Sequence, residues 1–168
     1  MSTLADPHLY FQVKCFQARE ISLLQGAEYE QWLEMMATDV SYRMPVISVS
    51  EDREKTESGA GELAHYDDTI DTLRLRVARM RSRVAWTEIP PSRVRYFVEP
   101  YAIEDGPDGV RVSSNLMVYQ TRLQREENYY VGCRHDRLRR HGGGFLLAER
   151  VAVIDKAVFP GKNLTVFF

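Results

Sequence analysis

The sequence predicts an α+β chain in which a long antiparallel sheet is covered on one face by helices. Three observations predict it. Three consecutive segments within residues 109–157 alternate apolar and polar residues with a period of two. Two segments before residue 40 and one beginning near residue 69 repeat their apolar residues at helical spacing instead. Helices therefore cluster early and strands late, an order that fits α+β better than a regular alternation of strand and helix. A long curved sheet wrapped around helices forms a cone that can enclose a cavity.

In chain order, Asp6-Pro7 is a helix start, because Asp can cap free N–H groups and proline is tolerated at the first helical position. Leu9, Val13 and Phe16 follow at i, i+4, i+7, with Leu23 and Leu24 beyond, and Gly26 suits the left-handed residue that ends a helix. A second amphipathic stripe, Tyr29, Trp32, Leu33 and Met36, predicts a second helix packed on the sheet. Val40, Tyr42 and Met44 alternate as a first strand over residues 40–47, and Pro45 makes it an edge strand or a strand end. Residues 48–62 are polar, charged and aperiodic, which predicts a long exposed loop, read as an arm that contacts another chain.

From Thr69 the helical period returns. Ile70, Leu73, Val77, Met80 and Val84 fall within about an 80° sector at roughly 100° per residue. Asp67, Asp68 and Thr69 supply caps and negative charge at its start. Arg74, Arg76, Arg79, Arg81 and Arg83 on this helix read as a solvated face or as ion pairs to an acidic partner chain. A nucleic-acid surface would need interleaved aromatics and a basic domain. Residues 92–99 form the next strand, with Val94, Tyr96 and Val98 on one face and Arg93, Arg95 and Phe97 on the other. Gly106-Pro107-Asp108-Gly109 is a turn, and so is Gly142-Gly143-Gly144, which a strand rather than a helix follows. The final segment places Phe145, Leu147, Val151 and Val153 on one face and Leu146, Ala148, Ala152 and Ile154 on the other. Val166, Phe167 and Phe168 predict a tail buried in this subunit or against a neighbour.

The 168 residues fit one domain, 1–168, large enough for a real core. With 44% hydrophobic and 27% charged residues the composition is that of a globular protein, and a net charge of −2 gives no general attraction to nucleic acid. No apolar run approaches the roughly 20 residues of a membrane span, and the first residues lack the basic-then-apolar order of a secretory signal. Cys15 and Cys133 are too few for a disulfide framework, which points to a cytoplasmic protein with reduced thiols.

Catalytic constellations are scarce. Cys133-Arg134-His135 is half of a Rieske signature, but Cys15 has no nearby histidine to supply the other half. The histidines His8, His65, His135 and His141 include no helical pair that would start an iron facial triad. P-loop, nucleophile-elbow and dinucleotide fingerprints are missing. Were the cone to host acid–base chemistry, as in a self-sufficient dehydratase or isomerase, Tyr42, His65, Asp67 and Asp155 would be the groups to carry it.

Several pieces together carry a resemblance. They are Tyr29-Glu-Gln-Trp-Leu33, Asp39-Val-Ser-Tyr-Arg-Met-Pro-Val46, Tyr66-Asp-Asp68, the helix from Leu73 to Ser82, and Ala85-Trp86-Thr87-Glu88. Pro90-Pro91-Ser92-Arg93, Leu138-Arg139-Arg140, Gly143-Gly144-Phe145 and the ending Lys162 to Phe168 continue it. In order and spacing they resemble the small, or β, subunit of aromatic-ring-hydroxylating dioxygenases. The resemblance implies a cystatin-like, NTF2-type α+β fold and a terminal oxygenase of three large and three small chains (α3β3). It implies that a Rieske [2Fe-2S] cluster and a mononuclear Fe(II) lie in the α subunit and none in this chain. Electrons would come from NADH through a reductase and usually a ferredoxin, to give cis-dihydrodiols of arenes, biphenyl or polycyclic ones being favoured. It assigns no catalytic residue to this chain. As subunit-interface residues the dense arginine set and the apolar tail nominate Arg79, Trp86, Arg93, Arg95, Phe167 and Phe168.

Overall fold

The computed structural model describes residues 6–46, 64–86, 92–122, 126–155 and 166–168, with backbone alone at 83–86 and 126. Helices α1 (Pro7–Gln25), α2 (Tyr29–Leu33) and α3 (Ile70–Trp86) accompany one six-stranded sheet. Its strands are β1 (Met36–Pro45), β2 (Ala64–Asp68), β3 (Arg93–Gly106), β4 (Gly109–Arg122), β5 (Glu126–His141) and β6 (Gly144–Ile154), in the order β2-β1-β6-β5-β4-β3. All neighbours are antiparallel except the pair β1–β6. This is the expected α+β arrangement. Among the described residues no helix is long and apolar enough to cross a membrane.

The helices touch one face of the sheet. Helix α1 packs on β3 and β6, and α3 on β1 and β2. Leu9, Val13, Phe16, Leu23 and Leu24 of α1 enter the core, as their spacing predicts. The Gln25 side chain accepts the Tyr96 N–H at 3.1 Å, and Glu99 takes Tyr10 at 2.8 Å and Lys14 at 2.7 Å. These contacts cover part of β3, an edge strand whose free backbone would otherwise invite pairing with another chain.

Three expectations are corrected. The left-handed residue after α1 is Ala27, at φ 55°, whereas Gly26 stays right-handed at φ −82°. Helix α2 ends at Leu33, so Met36 of the predicted helical stripe starts β1 instead. β1 is an inner strand, and Pro45 takes the second of its two expected placements, the strand end, where the register with β2 shifts. In β6 the alternation breaks: Leu147 and Ala148 are both buried, and the register to β5 shifts at Arg137/Leu138. The strand β2 was not expected at all. The 48–62 loop lies outside the described residues.

The long hairpins follow their turn chemistry. Gly142 and Gly143 both take positive φ, 56° and 78°, as a two-residue hairpin turn with the sheet's twist demands. Pro100 interrupts β3 where the register to β4 shifts, a position where a strand loses nothing by lacking an N–H.

Candidate functional site

The register lines up two rows across all six strands. Asp68, Tyr42, Arg150, Asp136, Val112 and Ile103 stand side by side on the inner, helix-covered face. One residue along, Asp67, Arg43, Val151, His135, Ser113 and Ala102 form a row on the outer face. Period-two alternation puts neighbours in sequence on opposite faces, which decides the fate of the predicted acid–base groups. Tyr42 is buried inside; Asp67 and His65 are exposed on β2, and Asp155 is exposed beyond β6. The fold does not bring these four together.

The inner row contains a buried ionic cluster that residue spacing did not single out. Glu20 of α1 accepts Arg150 at 2.5 and 3.1 Å and Arg134 at 2.8 Å. Asp136 accepts Arg150 at 2.7 and 2.8 Å, and Arg134 Nε lies 3.3 Å from Asp136 Oδ2. That last contact is an ion pair without hydrogen-bond alignment, since Nε has no hydrogen-bond partner. Trp32 Nε1 donates to Glu20 at 3.3 Å. All four charged groups are at least 96% buried and their formal charges cancel, the condition under which buried ions are tolerated. A signal existed: Glu20 falls on the apolar stripe of α1, and Arg150 stands between Ala148 and Ala152 on the inward face of β6.

Burial by itself would raise the Glu20 carboxyl, but the guanidiniums of Arg134 and Arg150 outweigh it and hold the group down at about 2 from an ordinary 4.5. Burial likewise opposes the Arg150 charge, and Asp136 with Glu20 reverses that, keeping it protonated. Because Glu20 is depressed in the folded state, its stabilisation is complete above its unfolded value and is lost as pH falls from about 4.5 towards about 2. Denaturant titrations across that window should show wild-type stability falling by about 3 kcal/mol more than that of Glu20→Gln. Parallel pH profiles would refute this role for Glu20.

Phe167 and Phe168 fill the space between this cluster and the helices, both without exposed surface. The Phe167 ring centroid lies 4.4 Å from that of Trp32 and 5.8 Å from that of Tyr29, and Arg76 sits over its face at 4.7 Å. Phe168 meets Tyr130 edge-on at 5.2 Å. The tail is thus buried in its own subunit, one of the two expected placements.

On the outer face Cys133 and His135 do point the same way, with Sγ 3.7 Å from Nε2, and Ser113 Oγ lies 2.8 Å from Nδ1. These residues do not fit a two-iron cluster, because Cys15 sits on α1 and no second Cys–His pair joins them. His8, Cys15, Glu34 and His141 line an open groove of about 550 Å³ beside α1. Even so, no three metal-ligating side chains among the described residues are placed to hold an ion.

Of the predicted interface residues, Arg79 is exposed on α3, and Arg93 and Arg95 are exposed on the outer face of β3. The Trp86 side chain lies outside the described residues. Sequence reasoning missed the apolar patch beside the arginines. Phe97, Met117 and Val131 stand in one cross-strand row at 56%, 36% and 46% exposure, with Tyr119 and Tyr129 in the next row beside Arg95. Tyr101, left unpaired by the irregularity in β3, is 55% exposed on the same strand. An exposed apolar patch rimmed by charge marks a protein–protein surface more often than chance.

The family model described as "Ring hydroxylating beta subunit" matches residues 19–161. The biphenyl 2,3-dioxygenase subunit beta of Rhodococcus jostii (strain RHA1) is 37% identical, over 97% of this chain and 90% of its own length. The chlorobenzene dioxygenase subunit beta of Cupriavidus sp. (strain PS12) is 35% identical, over 96% and 90%. A solved naphthalene 1,2-dioxygenase with indole in its active site superimposes with a TM-score of 0.83, over 99% of this chain and 89% of that one, at 22% identity, a likeness of fold. With the NTF2-like fold, a relative of this closeness and a family match spanning most of its length, the chain belongs to the beta subunits of aromatic-ring-hydroxylating dioxygenases.

Proposed function

We propose that this chain is the metal-free, structural member of an α3β3 terminal oxygenase, and that the outer face of its sheet is where it docks. The carrying observation is the exposed row Phe97–Met117–Val131 flanked by Arg93 and Arg95. Apolar side chains in a contiguous row gain by leaving water, and the arginines beside them can pair with acidic groups on a partner. Arg79 and Trp86 belong to α3, which packs on β1 and β2 over the inner face, and they make a separate contact with a neighbouring chain. Phe167 and Phe168 act on it from within, by fixing the inner face against which the sheet is shaped.

The α partner holds the Rieske [2Fe-2S] cluster and a mononuclear Fe(II), which together supply O2 activation for cis-dihydroxylation of an arene. Electrons reach it from NADH through a reductase and a ferredoxin, and the assembly works in the cytoplasm. The biphenyl relative supports biphenyl or a polycyclic arene as substrate. The chain alone is inactive, a reading supported by the separation of buried Tyr42 from His65, Asp67 and Asp155, which are exposed.

The test is co-expression with the α subunit. Met117→Glu and Val131→Glu place a charge in the apolar row without touching the core, and should each weaken association with the α subunit tenfold or more, about 1.4 kcal/mol, read in native mass spectrometry as loss of the hexamer. Intact hexamers at wild-type abundance for both would rule out this face. Turnover of biphenyl by the purified chain without its partner would overturn the structural role itself.

A further inference from the structure

The last three described residues sit in the interior as a ligand sits in a site. Val166–Phe168 belong to no strand of the sheet. They are held instead by side chains of five other elements, Arg76 of α3 over the Phe167 ring among them. The Tyr42 hydroxyl accepts the Phe168 N–H at 2.7 Å and donates to the Phe168 carbonyl oxygen, so one phenol reads both polar groups of one residue. Arg150 Nη1 adds a second hydrogen bond to that oxygen at 3.0 Å. Trp32 and Tyr29 of α2 and Tyr130 of β5 supply the aromatic walls around the two rings.

The grip does not depend on the tail for its own order. Arg150 is neutralised by Glu20 and Asp136, which also fix its guanidinium, and Tyr42 is anchored in the middle of β1 between β2 and β6. Preorganised donors beside a largely aromatic pocket are the make-up of a binding site.

We infer that the interior of this fold is a built binding site for a short peptide segment carrying two consecutive aromatic side chains, and that Val166–Phe168 is its occupant in cis. The occupant is exchangeable: it separates from the site without the sheet unfolding, and a peptide of the same chemistry takes its place. Recognition has two parts. The aromatic rings enter the pocket of Trp32 and Tyr130, and the Tyr42–Arg150 pair reads the backbone between them and the sheet.

Two measurements on the full chain test this. In native-state hydrogen exchange, the Phe168 amide should open by a local process insensitive to denaturant, while the Arg134 amide of β5 opens only with global unfolding. If both amides share one opening energy, the tail is an inseparable part of the core and the inference fails. In the second, Phe168→Ala should lower the Tm on the order of 10 °C, and added N-acetyl-Val-Phe-Phe should restore at least half of that loss. N-acetyl-Val-Ala-Ala should restore none, and adding Tyr42→Phe should abolish the rescue. A folded Phe168→Ala chain that the aromatic peptide fails to stabilise, or that both peptides stabilise equally, overturns the proposal. Should that variant not fold, the exchange measurement on the unaltered chain decides alone.

Discussion

Arg150→Met is expected to destabilise the chain by about 3–5 kcal/mol, the cost of breaking a buried ion pair by removing one partner. The substitution nearly preserves volume, so the loss is electrostatic. It strips Glu20 of both contacts with Arg150 and Asp136 of both of its hydrogen bonds, in a site where Glu20 and Asp136 have almost no access to water. Urea unfolding of the purified chain measures it. The companion double variant Glu20→Gln/Arg150→Met should recover part of the loss, because it also removes one of the stranded charges. A double variant as weak as the sum of the two single changes would mean that Glu20 and Arg150 are not coupled, contrary to the geometry.

Gly132→Ala should be a strongly damaging small change in the sheet. A Cβ at this position would lie 2.0 Å from the Val153 carbonyl oxygen and 2.8 Å from the Ile154 Cα. Both obstacles are backbone of the neighbouring strand, so no side chain can rotate out of the way, and β5 and β6 must part. Overpacking of this kind costs roughly 1–3 kcal/mol or more. The local readout is the Asp155 amide, which donates to the Val131 carbonyl at 2.8 Å right beside the strained pair. Its exchange should accelerate far more than that of amides near the β5–β6 turn. Unchanged protection at Asp155 would show that the strands have room that the geometry denies.

The long elements were legible because their physics is local. The alternation of Val110, Val112, Leu116 and Val118 and the turn glycines at 142 and 143 specify β4 and the β5–β6 hairpin without reference to anything distant. The stripes of α1 and α3 likewise need just one apolar face. Strand β2 was illegible for the opposite reason. Ala64, Tyr66 and Asp68 form its half-buried face, and Asp68 can face inward because Arg76 of α3 meets it at 2.5 Å while stacking over Tyr66. A charged residue reads as surface until its partner is located. The ionic cluster was hidden in the same way: Glu20, Arg134, Asp136 and Arg150 are scattered over three elements, and their pairing exists only in the β5–β6 register and in the packing of α1 on the sheet. The arginines of α3 turned out to be mostly spoken for inside the chain, with Arg74 on Asp71, Arg76 on Asp68 and Arg81 on Glu30. Nothing in the sequence distinguishes those from Arg79.

The parallel pair β1–β6 has a consequence in time. Residues 41–43 of β1 cannot complete their backbone hydrogen bonding until residues 149–151 exist. A ribosome making this chain therefore releases α1, α2, β1 and α3 long before the surface that covers them. Leu9, Val13 and Phe16 wait for β3 and β6, and Trp32 waits for Phe167, far along the chain. Distant pairings are slow to form, and the apolar helices stay adhesive meanwhile. The sheet closes when β6 pairs with both β1 and β5, a step that the strands before it must await.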